Sequence, residues 1–76
     1  MKVDRFLKYM SEYTKVEPIE TEDTYEFKLR FRSGTIVVPK VDDEPHIVYH
    51  DGYWRPTTCV PRWSKKRAKE LVDIIF

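Results

Sequence analysis

The residues of this 76-residue chain that could do chemistry fall into two groups of cations and a pair of histidines. The first group, Lys65, Lys66, Arg67 and Lys69, follows Ser64 closely, where a helix would begin. Cations in a first helical turn oppose the macrodipole, at about 0.3–1 kcal/mol each, so something must offset them. A bound phosphate would do so, because a helix N-terminus already attracts anions. Acids of the chain itself are the alternative, through contacts between solvated charges. The second group alternates with apolar residues: Lys28, Arg30 and Arg32 lie among Tyr25, Phe27, Leu29 and Phe31, and Arg55 follows Tyr53 by two. Alternation with period two gives a strand one apolar and one charged face. Arginine and tyrosine on one surface are the residue types that partner contacts favour. Lys28, Arg30, Arg32, Tyr53 and Arg55 are therefore the candidate partner-binding set, and Lys65, Lys66, Arg67 and Lys69 the candidate phosphate-binding set.

The catalytic inventory is thin. His46 and His50 are four apart in a β-rich segment, which separates them by roughly 13 Å, too far to share a metal. Cys59 falls on the strand face that carries His46 and reads as a bystander thiol. Asp42-Asp43-Glu44 lacks the spacing of a calcium loop. Gly34 and Gly52 are both taken by turns, which leaves no glycine-rich phosphate cradle. No nucleophile, base and orienting group assemble into a catalytic set. The expectation is a protein without enzymatic activity, metal or cofactor.

The elements that must position these residues follow from hydrophobic spacing. Val3, Phe6, Leu7, Met10 and Tyr13 recur at steps of three and four, predicting a helix over about Lys2 to Tyr13. Lys15 to Asp23, with Pro18 and four acids, reads as a connector. The strand from Thr24 to Arg32 is expected to turn at Ser33-Gly34, which would pair Phe31 with Ile36 and Leu29 with Val38. Val37 and Pro39 would then lie on the charged face, and Pro39, which cannot donate to a ladder, marks an edge or an end. Asp51-Gly52 predicts a second hairpin that pairs Tyr49 with Trp54 and Ile47 with Pro56. Ser64 is a good N-cap for a helix in which Ala68, Leu71, Val72 and Ile75 form the apolar stripe. The expected fold is α+β: a two-layer sandwich in the order α-β-β-β-β-α, an antiparallel meander with both helices on one face.

Bulk composition bounds the rest. The chain reads as a single domain, 1–76, near the lower limit for a self-sufficient core. It is 41% hydrophobic and 14% aromatic, enough to fold, and its net charge of +1 provides no global field toward nucleic acid or membrane. Seven acids (Glu17, Glu20, Glu22, Asp23, Asp42, Asp43 and Glu44) should gather at one end of the sheet, making the molecule dipolar. One cysteine allows no internal disulfide and points to a cytoplasmic, reducing location. No apolar run is long enough to cross a membrane, and the first residues are too charged for a signal peptide.

Ser64-Lys65-Lys66-Arg67-Ala68-Lys69 resembles the start of the second helix in double-stranded-RNA-binding domains, and the resemblance implies lysine contacts to phosphates. It covers only that segment; those domains have three strands and a glycine before the helix, where this chain has Val60-Pro61-Arg62-Trp63. His46, Tyr49 and Val60-Pro61-Arg62 faintly resemble HicA-type RNA-cleaving toxins, which implies a catalytic role for His46. In those toxins the histidine follows Gly-Ser, whereas His46 follows Pro45. The leading expectation is a binding protein that covers a surface of a protein partner, as a stand-alone inhibitor or adaptor of the kind mobile elements encode. A nucleic-acid-binding module and a small RNase using His46 are the alternatives. Val37, Val48 and Tyr53 on the uncovered face also leave a homodimer open.

Overall fold

The computed structural model describes residues 2–28, 34–41, 43–49, 52–55 and 59–75. Helix α1 (Lys2–Tyr13) and helix α2 (Lys65–Ile75) flank five strands: β1 (Ile19–Glu20), β2 (Thr24–Lys28), β3 (Thr35–Pro39), β4 (His46–Tyr49) and β5 (Gly52–Trp54). The strands form one antiparallel sheet in chain order, a meander. Val3, Phe6 and Met10 of α1 and Ala68, Leu71 and Val72 of α2 share one core with Phe27, Ile36, Val38 and Ile47 of the sheet. Both helices thus cover the same sheet face, giving the expected two-layer α+β sandwich.

To the four expected strands the structure adds β1, inside the segment read as a connector. Its hairpin is closed by two threonines: the Thr21 N–H donates to the Thr24 carbonyl at 2.8 Å, and the Thr24 N–H donates to Thr21 Oγ1 at 3.0 Å. Lys40 ties this corner to the end of β3, its N–H donating to the Asp23 carbonyl and its ammonium pairing with Glu20, both at 2.8 Å. The connector and the loop after β3 therefore do meet at one end of the sheet.

Both expected hairpin registers are corrected, each by an even number of residues. Ile36 pairs with Phe27 rather than Phe31, and Val38 with Tyr25 rather than Leu29; the described pairs run from Thr24 and Pro39 to Lys28 and Thr35, and Leu29, Phe31 and Ser33 lie outside the described residues. An apolar residue at every second position fits the core equally well after an even slip, so the pattern specifies the face and not the register. In the second hairpin Tyr49 pairs with Gly52 rather than with Trp54, and Ile47 with Trp54 rather than with Pro56, so Gly52 belongs to the strand and not to the turn. Gly52 enters the strand with a φ of 152°, a backbone region that side chains rarely adopt. Nothing lies within 4 Å of a Cβ built there. Gly52→Ala is therefore expected to destabilise the fold through backbone strain alone, by about 1–3 kcal/mol, read as a lower urea midpoint with an unchanged slope.

Pro39 is the last residue of β3, and its strand is central, so the proline marks an end and not an edge. Val60 and Cys59 lie in a bend outside any strand, and Cys59 is exposed. Ser64 caps α2 as expected, its Oγ accepting the Arg67 N–H at 3.2 Å and donating to the Pro61 carbonyl at 2.8 Å. Trp63 packs edge-on against Phe6, ring centres 5.6 Å apart, and so fastens the start of α2 to α1. Among the described residues no helix is long and apolar enough to cross a membrane.

Candidate functional site

The register fixes which side chains stand on the sheet face away from the helices. Since paired residues share a face, Ile19, Glu26, Val37 and His46 form one row across β1 to β4. Lys28, Thr35, Val48 and Tyr53 form the next row, across β2 to β5. Four large apolar residues are well exposed among those described, and three lie on this face: Ile19 at 50%, Val48 at 39% and Tyr53 at 66%. Val37, expected to be exposed here, is instead buried at the middle of the central strand.

Arg55 is held beside Tyr53. Its guanidinium donates two hydrogen bonds to the Asp43 carboxylate, at 2.6 and 3.0 Å, and lies 5.1 Å from the centre of the Tyr53 ring. The fork-to-fork pairing fixes the plane of the guanidinium. The Tyr53 ring also stands edge-on to His46, centres 6.4 Å apart. His46 is buried, with Nδ1 2.8 Å from the Glu44 carbonyl. In the neutral ring that contact places the proton on Nδ1 and leaves Nε2 as the acceptor. Asp43, Arg55, Tyr53 and His46 thus form one connected polar corner between the β3–β4 loop and β5.

The electrostatics follow. The hydrogen bonds from Arg55, helped by the Glu44 N–H, hold the Asp43 carboxyl at about 2 against an ordinary 3.8. Asp43 pushes the Arg55 guanidinium up in turn. A depressed carboxyl stabilises the fold above its unfolded pKa, and that contribution is lost as pH falls from about 4 through about 2. Both side chains are more than a third exposed, so solvent screening reduces the contribution to about 1 kcal/mol or less. In a carboxyl NMR titration Asp43 is expected to have its midpoint near 2, returning toward 3.8 in Arg55→Gln.

Lys28 is exposed on the open face, as the sequence implied. Arg30 and Arg32 lie outside the described residues, as does His50. The cations of α2 do not converge on one point. Lys65 pairs with Glu12 of α1 at 2.9 Å, and Lys69 pairs with Asp73 one turn on at 3.2 Å. Arg67 points inward, 2% exposed, with Nη2 donating to the Val60 carbonyl at 2.6 Å and Nη1 3.0 Å from Glu70. Lys66 is exposed and makes no ion pair with a described residue. Among the described residues the macrodipole conflict at the start of α2 is offset at Lys65 by Glu12, and no described acid of the sheet end pairs with a cation of α2. The acids there are held by other cations: Glu44 lies 3.4 Å from Arg62 and 4.0 Å from Arg55.

Sequence reasoning missed two members of this face. Ile19 follows Pro18 in a stretch without periodicity, and Asp43 sits in an acidic run that resembles any solvated turn. Among the described residues no group of three or more metal-binding side chains gathers. The fold and site define a small two-layer α+β protein with one sheet face uncovered. No family model, curated protein or solved structure matches the chain.

Proposed function

We propose that the chain is a non-enzymatic module that binds another protein with the uncovered face of its sheet, as an inhibitor or adaptor does. The observation that carries this reading is the exposed cross-strand pair Val48 and Tyr53 on the one sheet face that the helices leave bare, with Ile19 exposed on the same face at the opposite edge of the sheet. Neighbouring exposed apolar side chains bordered by charge are characteristic of contact surfaces. Tyr53 and Arg55 add the residue types that dominate binding energy, and the Asp43 clamp orders Arg55 before a partner arrives, which reduces the entropy lost on binding. Lys28 and the charges of Glu26 and Arg55 supply the polar border.

The nucleic-acid reading draws less support, since Lys65, Arg67 and Lys69 are engaged within the chain and Lys66 stands apart from the sheet cations. The test is comparative capture from the native cell. Tagged wild-type chain should enrich a protein partner that Tyr53→Ala and Val48→Asp lose, with affinity falling about 30-fold or more for Tyr53→Ala. Circular dichroism should show both variants folded. Recovery of the same proteins in the same amounts by both variants would remove the proposal, and a partner lost only after nuclease treatment would replace it with the nucleic-acid reading.

A further inference from the structure

A second site adjoins the polar corner at Asp43 but depends on no residue of the open face for the contacts proposed. A half-open cleft of about 800 Å³ lies between the start of α1, the loop after β3 and the turn before α2. Its size is within the roughly 300–1,000 Å³ of small-molecule sites. Trp63 and Val41 line it, and Val41 is the one well-exposed large apolar residue among those described that is not on the open sheet face. An aromatic ring and an exposed aliphatic side chain bordering the same gap can hold a flat ring between them.

The charges of the cleft are unequally satisfied. Its two carboxylates are held by arginines: Asp43 is clamped by Arg55, and Glu44 is met by Arg62. Lys2 forms no ion pair with a described residue; its ammonium lies 5.8 Å from the centre of the Trp63 ring. That contact is of the cation–π kind, worth about 0.5–1 kcal/mol when exposed, so the ammonium is cheaply redirected to an anion. Arg62, with its side chain 73% exposed, reaches Glu44 through Nε at 3.4 Å. A guanidinium has five N–H donors, so that contact leaves donors for a second anion.

From this arrangement we propose that the cleft binds a nucleotide, its base between Trp63 and Val41 and its phosphate on Lys2 and Arg62. A base needs a flat apolar slot, and a phosphate needs cations whose charge is not fully spent; residues of both kinds line this one cleft. Free mononucleotides and the terminal unit of a single strand share this chemistry.

Isotope-labelled wild-type chain, titrated with adenosine monophosphate, should show a saturable shift of the Trp63 indole N–H resonance, with Trp54 as internal control. Saturation is expected below about 10 mM, with adenosine alone and inorganic phosphate alone each binding at least about tenfold more weakly. Lys2→Gln, Arg62→Gln and Val41→Asp alter exposed side chains and should each weaken binding about tenfold while the amide spectrum stays folded. A single-stranded oligoadenylate that shifts Trp63 at much lower concentration identifies a strand end as the source, and equal affinity per nucleotide identifies the free nucleotide; either supports the site. The site is overturned if Trp63 does not respond, if adenosine or phosphate alone binds as well as the nucleotide, or if all three variants bind like wild type.

Discussion

Replacing Arg67 by alanine is expected to cost the fold about 3–5 kcal/mol, whereas Lys66→Ala, one residue earlier, should leave stability within about 0.5 kcal/mol of wild type. In sequence the two are neighbours in one basic run. In the structure Arg67 is 2% exposed, its Nη2 donating to the Val60 carbonyl at 2.6 Å and its Nη1 lying 3.0 Å from Glu70, while Lys66 is exposed. Truncating the guanidinium takes a charge-assisted donor from the Val60 carbonyl and a cation from beside Glu70. The remaining groups keep the cost of their desolvation. The bend before α2 should loosen first, since the Arg67 side chain is what ties Val60 to the helix. Urea unfolding followed by circular dichroism reads the loss. Arg67→Met combined with Glu70→Leu should recover a large part of it, because removing both members of a buried pair leaves no uncompensated charge. Equal stability of Arg67→Ala and Lys66→Ala would mean that the Arg67 side chain is not inside.

The same contrast shows where sequence reasoning reaches its limit. Spacing told which face of each element is apolar, and the faces survive: Phe6 and Met10, Ala68 and Leu71, Ile36 and Ile47 all point into the core. Spacing could not count along a ladder, because an even slip leaves every face unchanged, and both hairpins are set off by such slips. It also could not see Arg67 as a core residue, since its position after Ser64 matches any solvated helix start; only the fold of residues 59–63 brings a carbonyl to meet it. The second hairpin failed for a related reason. Asp51-Gly52 is a strong turn signal, yet Gly52 is used for its positive φ at the first position of β5. Tyr53 and Arg55 were legible as partners on one face because period two needs no register. Their clamp by Asp43 was not, because it joins residues across a loop whose course no local pattern dictates.

Phe6→Ala should have a comparably large effect, for a different reason. Phe6 is fully buried, belongs to the core shared by both helices and the sheet, and meets the edge of Trp63 at 5.6 Å. Truncating a buried phenylalanine removes its transfer energy and leaves a cavity, together about 3–5 kcal/mol. A chain of this size has a total stability of about 4–11 kcal/mol, so the variant should lose roughly a quarter to all of it, read as a much lower urea midpoint. A Leu7→Ala comparison separates this loss from helix propensity. Alanine favours the helix at both positions, and Leu7 is only partly buried, so its cost should be nearer 1–2 kcal/mol. Phe6→Leu, which keeps most of the volume, should fold at a cost of about 1–2 kcal/mol but lose the ring contact with Trp63. Its Trp63 indole resonance should therefore shift while that of Trp54, the β5 neighbour of Ile47, moves far less. If Phe6→Ala instead unfolds at nearly the wild-type urea midpoint, the helices are not packed on the sheet through this side chain, and the division into a covered face and an open one fails with it.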